Sequence, residues 1–569
     1  MTNQTRPDVD PFTVEIIRNA TVAITDEMTD KLMRSAYNNI IYEALDFTVG
    51  LFDANGRTLS IGLGLPMFIG GLGDTVRAKI AALGDGLQPG DVLMTNDPYI
   101  MGSHLNHIVL TLPIFHDGKL RAFASTMAHW QDIGGSLSGA TTDIYSEGIA
   151  FPILKVYNAG VENTDVTDIL RANIRFPERA MGDFRAQLAS IHTGERRLGV
   201  LFTKYGVETV VDSWRQTHEH SVARARDAVA RIPDGRYTAR AYMDDDGVSA
   251  DPIPLTVAVE VAGSEFTIDL SDVSDQVAGY YNSGETAGRS AAQVAFRCLV
   301  APDLFPINEG IFEPLTTVLP PGKIVSAERP AAMHLWMTVP MTIVDLVFRA
   351  LADAIPDQVI SGHHADLLTT TFYGHRPDGK MFLLTEGLPG GGWGAKSDED
   401  GMSATICIND GNTHNTPIES LENQLPLLIR EYALREDSGG AGKHRGGLGV
   451  LKEYEVLTPL RFNSGVERTK CAPWGLAGGL DGAPNGVELV RDSQTQTFPN
   501  GKLASAPLAV GDRIRLLSGG GGGFGDPAAR APAALADDVA NGYVSAAAAA
   551  SLYRSAGPVR APAQNNEMS

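Results

Sequence analysis

Cysteine is scarce: there are three in 569 residues, Cys298, Cys407 and Cys471, an odd number with no Cys-x-x-Cys spacing. That argues against a secreted disulfide framework and fits a reducing compartment. Long apolar runs are missing as well. No stretch reaches the roughly 18 residues that a membrane span needs. The start, Met-Thr-Asn-Gln-Thr-Arg-Pro-Asp-Val-Asp, holds no apolar core of a signal peptide. Basic residues number 46 against 68 acidic ones, so the formal charge is −22, spread along the chain. Such a surface repels phosphate backbones, and no basic patch with interleaved aromatics relieves it, so no nucleic-acid partner is expected. These absences predict a cytoplasmic protein with neither membrane nor nucleic-acid partner.

What is present is a globular composition, with 43% apolar and 20% charged residues, on a chain too long for one ordinary core. Residues 11 to 40 predict one amphipathic helix, with Pro11 in its first turn and Val14, Ile17, Ala20, Ile24 and Met28 on its apolar face. Asp46 to Asp53 predicts a strand, Asn55-Gly56 a hairpin turn, and Thr58 to Ile61 the return. Ile108 to Phe115 and Leu120 to Met127 predict a second hairpin around Asp117-Gly118. Long helices are expected over 181–205 and 207–231, and strands over 236–243, 255–261 and 266–269. Further helices are expected over 287–299 and 339–354. From 366 onward short strands alternate with Gly-rich turns, and 526–551 predicts an Ala-rich helical hairpin. With no repeat and no sustained strand–helix alternation, the fold class expected is α+β. The expected subunit is intertwined and multi-domain, divided at 1–162, 163–233, 234–365, 366–527 and 528–569.

Three of the thirteen histidines fall close together: His104, His107 and His129. Neutral imidazole is the commonest transition-metal ligand. The second hairpin brings positions 107 and 129 together, because paired strands lie about 5 Å apart. Asp46, Asp97 and Asp132 are the carboxylates within reach by sequence, as ligands or as acceptors that fix a histidine tautomer. Asp132 and Glu147 are the candidate general bases.

Other motifs carry less. Gly390 to Ser397 fails the phosphate-loop spacing, because Ala395 rather than glycine precedes Lys396. Gly519 to Gly525 lacks the following helix of a dinucleotide site. Close backbone packing is the expected use of both. Cys298 is expected in the core on an apolar helix and Cys407 in a buried strand, and Cys471 is read as structural although Arg468 and Lys470 nearby favour a lowered pKa. His363-His364-Ala365-Asp366 is read as a hydrogen-bonding loop.

The chain resembles the hydantoinase B/oxoprolinase family, which also includes subunits of ketone carboxylases. The segments that carry the resemblance include Asn96-Asp97-Pro98-Tyr99, Gly102-Ser103-His104-Leu105, Asp132-Ile133-Gly134-Gly135 and Gly182-Asp183-Phe184-Arg185-Ala186-Gln187. Later ones are Asp437-Ser438-Gly439-Gly440, Pro473-Trp474-Gly475-Leu476 and Gly520 to Pro527. They run in family order over nearly the whole chain. The resemblance implies a divalent metal, Zn or Mn, on Asp46, His104, His107 and His129. It also implies a separate hydantoinase A-like subunit that binds ATP and phosphorylates the substrate. The implied activity is ATP-dependent hydrolysis of a hydantoin, 5-oxoproline or similar lactam by a hetero-oligomer. A ketone carboxylase subunit and a non-catalytic, metal-stabilised scaffold are the alternatives.

Two departures stand out. The family has His-Leu-Pro-Asp where this chain has His104-Leu105-Asn106-His107, and Trp130 stands where a second histidine usually follows the hairpin. Three imidazoles and one carboxylate make a softer shell that suits Zn. Trp336, in the bulky segment Ala332 to Met337, joins Trp130 as a candidate substrate-binding residue and points to an apolar or aromatic substrate.

Overall fold

The computed structural model describes residues 8–300, 306–386 and 389–553. Among these residues it is a mixed helix-and-sheet fold, of the α+β kind, with four sheets. The part of the expected C-terminal tail beyond Tyr553 lies outside the described residues.

The first sheet positions the histidines. Its strands are β1 (Phe47–Asp53), β2 (Thr58–Leu63), β3 (Val92–Thr95), β4 (His107–His116), β5 (Lys119–His129), β6 (Leu154–Asn158) and β7 (Val161–Glu162). They lie side by side in the order β2-β1-β5-β4-β3-β6-β7. The β4–β5 turn has positive φ at both Asp117 (51°) and Gly118 (69°), the two-residue turn whose twist matches that of antiparallel strands. Both faces of the sheet are covered, which explains why β4 is apolar almost throughout rather than alternating. On one face Leu110, Leu112, Ala122 and Ala124 pack with Ile24 and Met28 of helix Pro11–Ser35 and Ile191 and Leu198 of helix Pro177–Tyr205. On the other, Val109, Phe123 and Met127 meet Leu72 and Val76 of helix Gly71–Leu83 and Ala291 of helix Glu285–Val300.

The expected helix over 11–40 is two elements. It stops at Ser35, Ala36 is extended, and a short turn Asn39–Tyr42 follows, capped by the Asn38 side chain. Asp183 causes the break by accepting the main-chain N–H groups of Tyr37 and Asn38 at 2.7 and 3.2 Å. The turn lets residues 43–46 run into β1 beside the histidines.

The second sheet holds β8 (Gly235–Met243), β9 (Ile253–Ala262), β10 (Glu265–Asp269) and β11 (Leu315–Val318), against which the buried helix Thr338–Leu351 packs. The rest is β12 (Thr369–His375), β13 (Met381–Glu386), β14 (Leu427–Leu434), β15 (Val450–Val456), β16 (Leu460–Gly465), β17 (Gly486–Arg491), β18 (Gln494–Phe498), β19 (Lys502–Leu508) and β20 (Arg513–Leu517). They form one sheet ordered β13-β12-β16-β19 and another ordered β14-β15-β20-β17-β18. Around them the glycine-rich segments pack backbone on backbone. A Cβ on Gly521 would lie 1.8 Å from the Trp393 oxygen, and one on Gly446 1.8 Å from the Gly521 oxygen. Gly521 N–H donates to Gly447 and Gly440 N–H to Gly521, at 2.9 and 2.8 Å, so these glycines form a close-packed backbone layer.

The cysteines differ in part from expectation. Cys407 is buried but lies outside any strand, and Cys298 is exposed on its helix. Burial outweighs Arg468 at Cys471 and pushes its thiol up rather than down.

Candidate active site

Register builds the site. In β1-β5-β4, Phe47 pairs with Ala128 and His129 pairs with His107. Asp46, His129 and His107 therefore stand in a row at one end of three adjacent strands. The two histidines are the last pair of the ladder rather than residues just beyond it. The His129 N–H donates to the Asp46 main-chain oxygen at 3.1 Å, which fixes that row. His104 arrives from the loop after the turn Pro98–Met101. That loop bends at Gly102 (φ +89°), where a Cβ would fall 2.4 Å from the Ala287 nitrogen. The ring centroids of His104, His107 and His129 lie 4.7, 4.9 and 5.2 Å apart.

The four expected ligands are thus brought together, but not as a finished cage. Among the described residues no group of three or more His, Cys, Asp or Glu side chains is already arranged to hold a metal ion. His107 Nε2 and Asp46 Oδ1 are bonded to each other at 2.9 Å. The donor chemistry fits a metal nonetheless. His104 Nε2, His107 Nδ1 and His129 Nδ1 are buried ring nitrogens with no hydrogen-bond partner, an arrangement that is costly unless something fills it.

Protonation states agree. Burial, helped by neighbouring imidazoles, pushes His104 well below the ordinary histidine range. Burial takes His129 down to about 4 against the pull of Asp46. Burial alone would raise Asp46, but the charge and hydrogen bond of His107, with His129 behind, hold it below the usual carboxylate value. Near neutral pH His104 and His129 therefore offer imidazole lone pairs and Asp46 a carboxylate, the forms that bind metals.

Asp46, His104 and His129 open onto a cavity of about 110 Å³. Its other walls come from distant segments: Leu335 and Met337, Thr369 and Thr371 of β12, Thr385 and Glu386 at the end of β13, and the loop Asp410–Thr416. That loop is docked on the β1 approach by Thr413, whose hydroxyl donates to the Ala44 oxygen at 2.8 Å. Burial and the charge of Asp46 push the Asp410 carboxyl up to about 7, against the hydrogen bond it accepts from Cys407.

His334, Asp410 and Glu386 also line this cavity and were not singled out from sequence. His334 lies in the bulky segment noted for Trp336, and burial takes its imidazole down to about 4. Its main-chain oxygen accepts His104 Nδ1–H at 2.9 Å. Asp410 and Glu386 carry no signal in sequence, since isolated carboxylates near glycine are ordinary surface residues.

Several expected roles change. Trp130 is fully buried and faces the core beneath the helix Pro177–Tyr205, its indole N–H bonded to Gln187 Oε1 at 3.0 Å. It lines no part of the cavity. Trp336 is also outside the lining. It stacks on Phe68 at 5.8 Å and sets its edge against His104 and His107 at 6.3 and 6.0 Å, walling the cluster from behind. Asp132 is engaged by Arg175, through the guanidinium at 2.6 Å and through the main-chain N–H, so it does not stand free as a base. Glu147 is buried with its pKa raised to about 7 by that burial. Its Oε1 accepts the Thr141 hydroxyl and the N–H groups of Met333 and His334 at 2.7, 2.9 and 2.9 Å, so it acts on the segment that touches His104 rather than on the cavity. The His363 loop is structural: His363 Nδ1 bonds Asp345 at 2.7 Å.

The hydantoinase B/oxoprolinase family model matches residues 10–527. The B-type component of a putative D-/L-hydantoinase from Pseudomonas sp. (strain NS671) is 31% identical over 561 residues, 94% of this chain and 93% of that one. The beta component of the caprolactamase of Pseudomonas jessenii is 30% identical over 558 residues, 94% of each. The crystal structure of the ATP-dependent caprolactamase of Pseudomonas jessenii superposes with a TM-score of 0.89 at 28% identity, covering 96% of both chains. An acetone carboxylase in its nucleotide-free form shares the fold, with a TM-score of 0.88 at 19% identity over 96% of this chain and 79% of that one.

Proposed function

The chain belongs to the hydantoinase B/oxoprolinase family, and on that premise we propose that it is the metal-bearing subunit of an ATP-dependent cyclic amide hydrolase. The observation that carries this reading is the cluster of three imidazoles and one carboxylate, with orphaned ring nitrogens, beside a cavity. Asp46, His104, His107 and His129 would hold the divalent ion, Zn before Mn on the softness of three imidazoles. Such an ion supplies Lewis acidity that polarises a substrate carbonyl.

The chain's own residues prepare that site. The His334 oxygen takes the Nδ1 proton of His104 and so leaves its Nε2 lone pair free. The His107–Asp46 bond keeps the carboxylate ionised until both are needed as ligands. Trp336 and Phe68 exclude water from behind the rings. Thr369, Thr371, Thr385 and Asn415 supply hydroxyls and amides to orient a small polar ring.

ATP binding and substrate phosphorylation are assigned to a hydantoinase A-like partner. Two things support a partner: the glycine-rich segments of this chain are consumed in backbone packing, and two relatives it spans nearly end to end bear the names of single subunits. Hydrolysis is preferred to carboxylation because relatives at 30% identity and above include subunits of a hydantoinase and a caprolactamase, while the likeness to acetone carboxylase is one of fold. No helix among the described residues is long and apolar enough to cross a membrane.

The test is co-purification with the partner, followed by ATP turnover on cyclic amides and ketones with and without bicarbonate. Turnover with a cyclic amide and no bicarbonate is expected. Dependence on bicarbonate makes the protein a carboxylase component. Less than about half an equivalent of transition metal in fresh protein argues against the metal site.

A further inference from the structure

A second cleft lies against the cavity beside His104. It measures about 380 Å³, and the two share a pair of lining residues, Asn39 and Thr416. Asn39 Nδ2 donates to the Thr416 hydroxyl at 3.2 Å, so one hydrogen-bonded pair belongs to both walls. Asp46, His104, His107 and His129 do not line this cleft. Its charge can therefore be counted without the metal ion they would hold, and such an ion would only add to the positive side.

Two arginines set the character of the cleft. Arg179, in the first turn of helix Pro177–Tyr205, lies 5.9 Å from the Phe176 ring centre and donates through Nη1 to Gln131 Oε1 at 3.0 Å. Gln131 is held in turn, its Nε2 donating to the Leu383 oxygen of β13 at 2.8 Å. Arg376 stands in the turn between β12 and β13, and its Nη2 donates to the Gln424 main-chain oxygen. That turn is closed by the Gly379 N–H on the Arg376 oxygen and the Arg376 N–H on the Lys380 oxygen, both at 2.9 Å. Both guanidiniums are thus positioned by neutral acceptors, and among the described residues neither has an ion-pair partner. Each carries five N–H donors in a planar fork, so most remain for a ligand. Lys380 is already paired with Asp378 at 3.7 Å. With Glu43 as the other carboxylate, the lining holds three cations and two anions, a surplus of one positive charge on a chain of formal charge −22. A positive cleft in a negative surface concentrates anions, and the guanidinium fork matches the paired oxygens of a carboxylate or a phosphate.

We propose that this cleft is an oxyanion site, which binds a small molecule through a phosphate or carboxylate group held by Arg179 and Arg376. A ligand docked there stands one hydrogen-bonded pair, Asn39 and Thr416, away from the cavity beside His104. The site needs neither the metal ion nor the hydrolase reading, because its donors come from the helix start at Pro177 and the β12–β13 turn rather than from the histidine cluster.

Isothermal titration of the full chain with inorganic phosphate and with acetate, at ionic strength matched with chloride, checks it. One equivalent is expected to bind, and the tighter of the two anions names the group. R179Q and R376Q keep a polar side chain without its charge, and each is expected to weaken binding by about tenfold, the scale of a charge-assisted hydrogen bond. R236Q, at an exposed arginine of β8 outside the cleft, is expected to change nothing. Protein stripped of metal by a chelator is expected to bind the anion as before. Binding no stronger than that of chloride overturns the site, as does unchanged binding in R179Q or R376Q. An equal loss in R236Q means that surface charge in general attracts the anion, and also overturns it. Loss of binding in chelated protein that stays folded places the anion on the metal instead, and overturns it too. Failure of the complex to turn over any cyclic amide removes the hydrolase reading and leaves the oxyanion site standing.

Discussion

His104 donates its Nδ1 proton to the main-chain oxygen of His334 at 2.9 Å, across 230 residues of sequence. A carbonyl only accepts, so the bond fixes the tautomer and leaves His104 Nε2 as a lone pair inside the cluster. The carbonyl is itself held, because Glu147 Oε1 accepts the N–H groups of Met333 and His334. Glu147 thus orients a candidate ligand through one intervening residue, His334.

Glu147→Ala should therefore weaken metal binding, by less than the roughly 10- to 100-fold that removing a direct outer partner of a ligand costs, because Glu147 acts one residue further out. Glu147→Gln keeps an acceptor oxygen and should restore most of the affinity. Competition with a fluorescent chelator measures both. Equal loss in the two variants would show that charge matters rather than the hydrogen bonds.

Asp132→Asn should leave the pH profile of turnover where it is and lower stability by about 1.5–3 kcal/mol, the range for a hydrogen bond to a charged group. The Arg175 guanidinium and N–H that Asp132 accepts lose their ionised partner. A collapse of kcat with the parent's melting temperature would restore Asp132 as a base.

Trp336→Ala should cost roughly 3–5 kcal/mol as a buried aromatic truncation and weaken metal binding, because Phe68, His104 and His107 lose the ring they rest on. The spread of substrates accepted should not widen, since Trp336 is outside the cavity lining. A substrate screen against the parent decides this.

How far the sequence foretold this site depends on contact range. The β4–β5 hairpin was legible from a β-rich run and an Asp-Gly turn, and with it the meeting of His107 and His129. The helix break at Ala36 was not, because it depends on Asp183, far along the chain. His334, Glu386 and Asp410 reach the cavity from segments more than 200 residues beyond the hairpin, and local spacing holds no trace of that. Trp130 and Trp336 were misplaced for a different reason. A tryptophan beside a metal-ligand motif reads the same whether its ring faces the cavity or the core; the Gln187 bond decides it for Trp130 and the stack on Phe68 for Trp336.

Lys79 offers a stability test away from the site. It is fully buried, and its ammonium has three neutral acceptors, the Leu93 and Val109 oxygens and the Thr111 hydroxyl, at 3.4, 3.1 and 2.9 Å. Burial holds its pKa well below the ordinary lysine value. Between the folded and unfolded pKa values the unfolded chain binds the extra proton, so this group makes the fold more stable as pH rises toward about 10.4. Below the folded value the buried charge is a steady penalty. Lys79→Met fills similar volume without charge, and Thr111 keeps its bond to Ser125 at 2.8 Å. The variant should melt higher than the parent at pH 7, and the difference should shrink by pH 9.5. Scanning calorimetry at the two pH values checks it: a gain that is the same at both means that Lys79 is charged in the fold throughout, and a loss means that its three hydrogen bonds outweigh its burial.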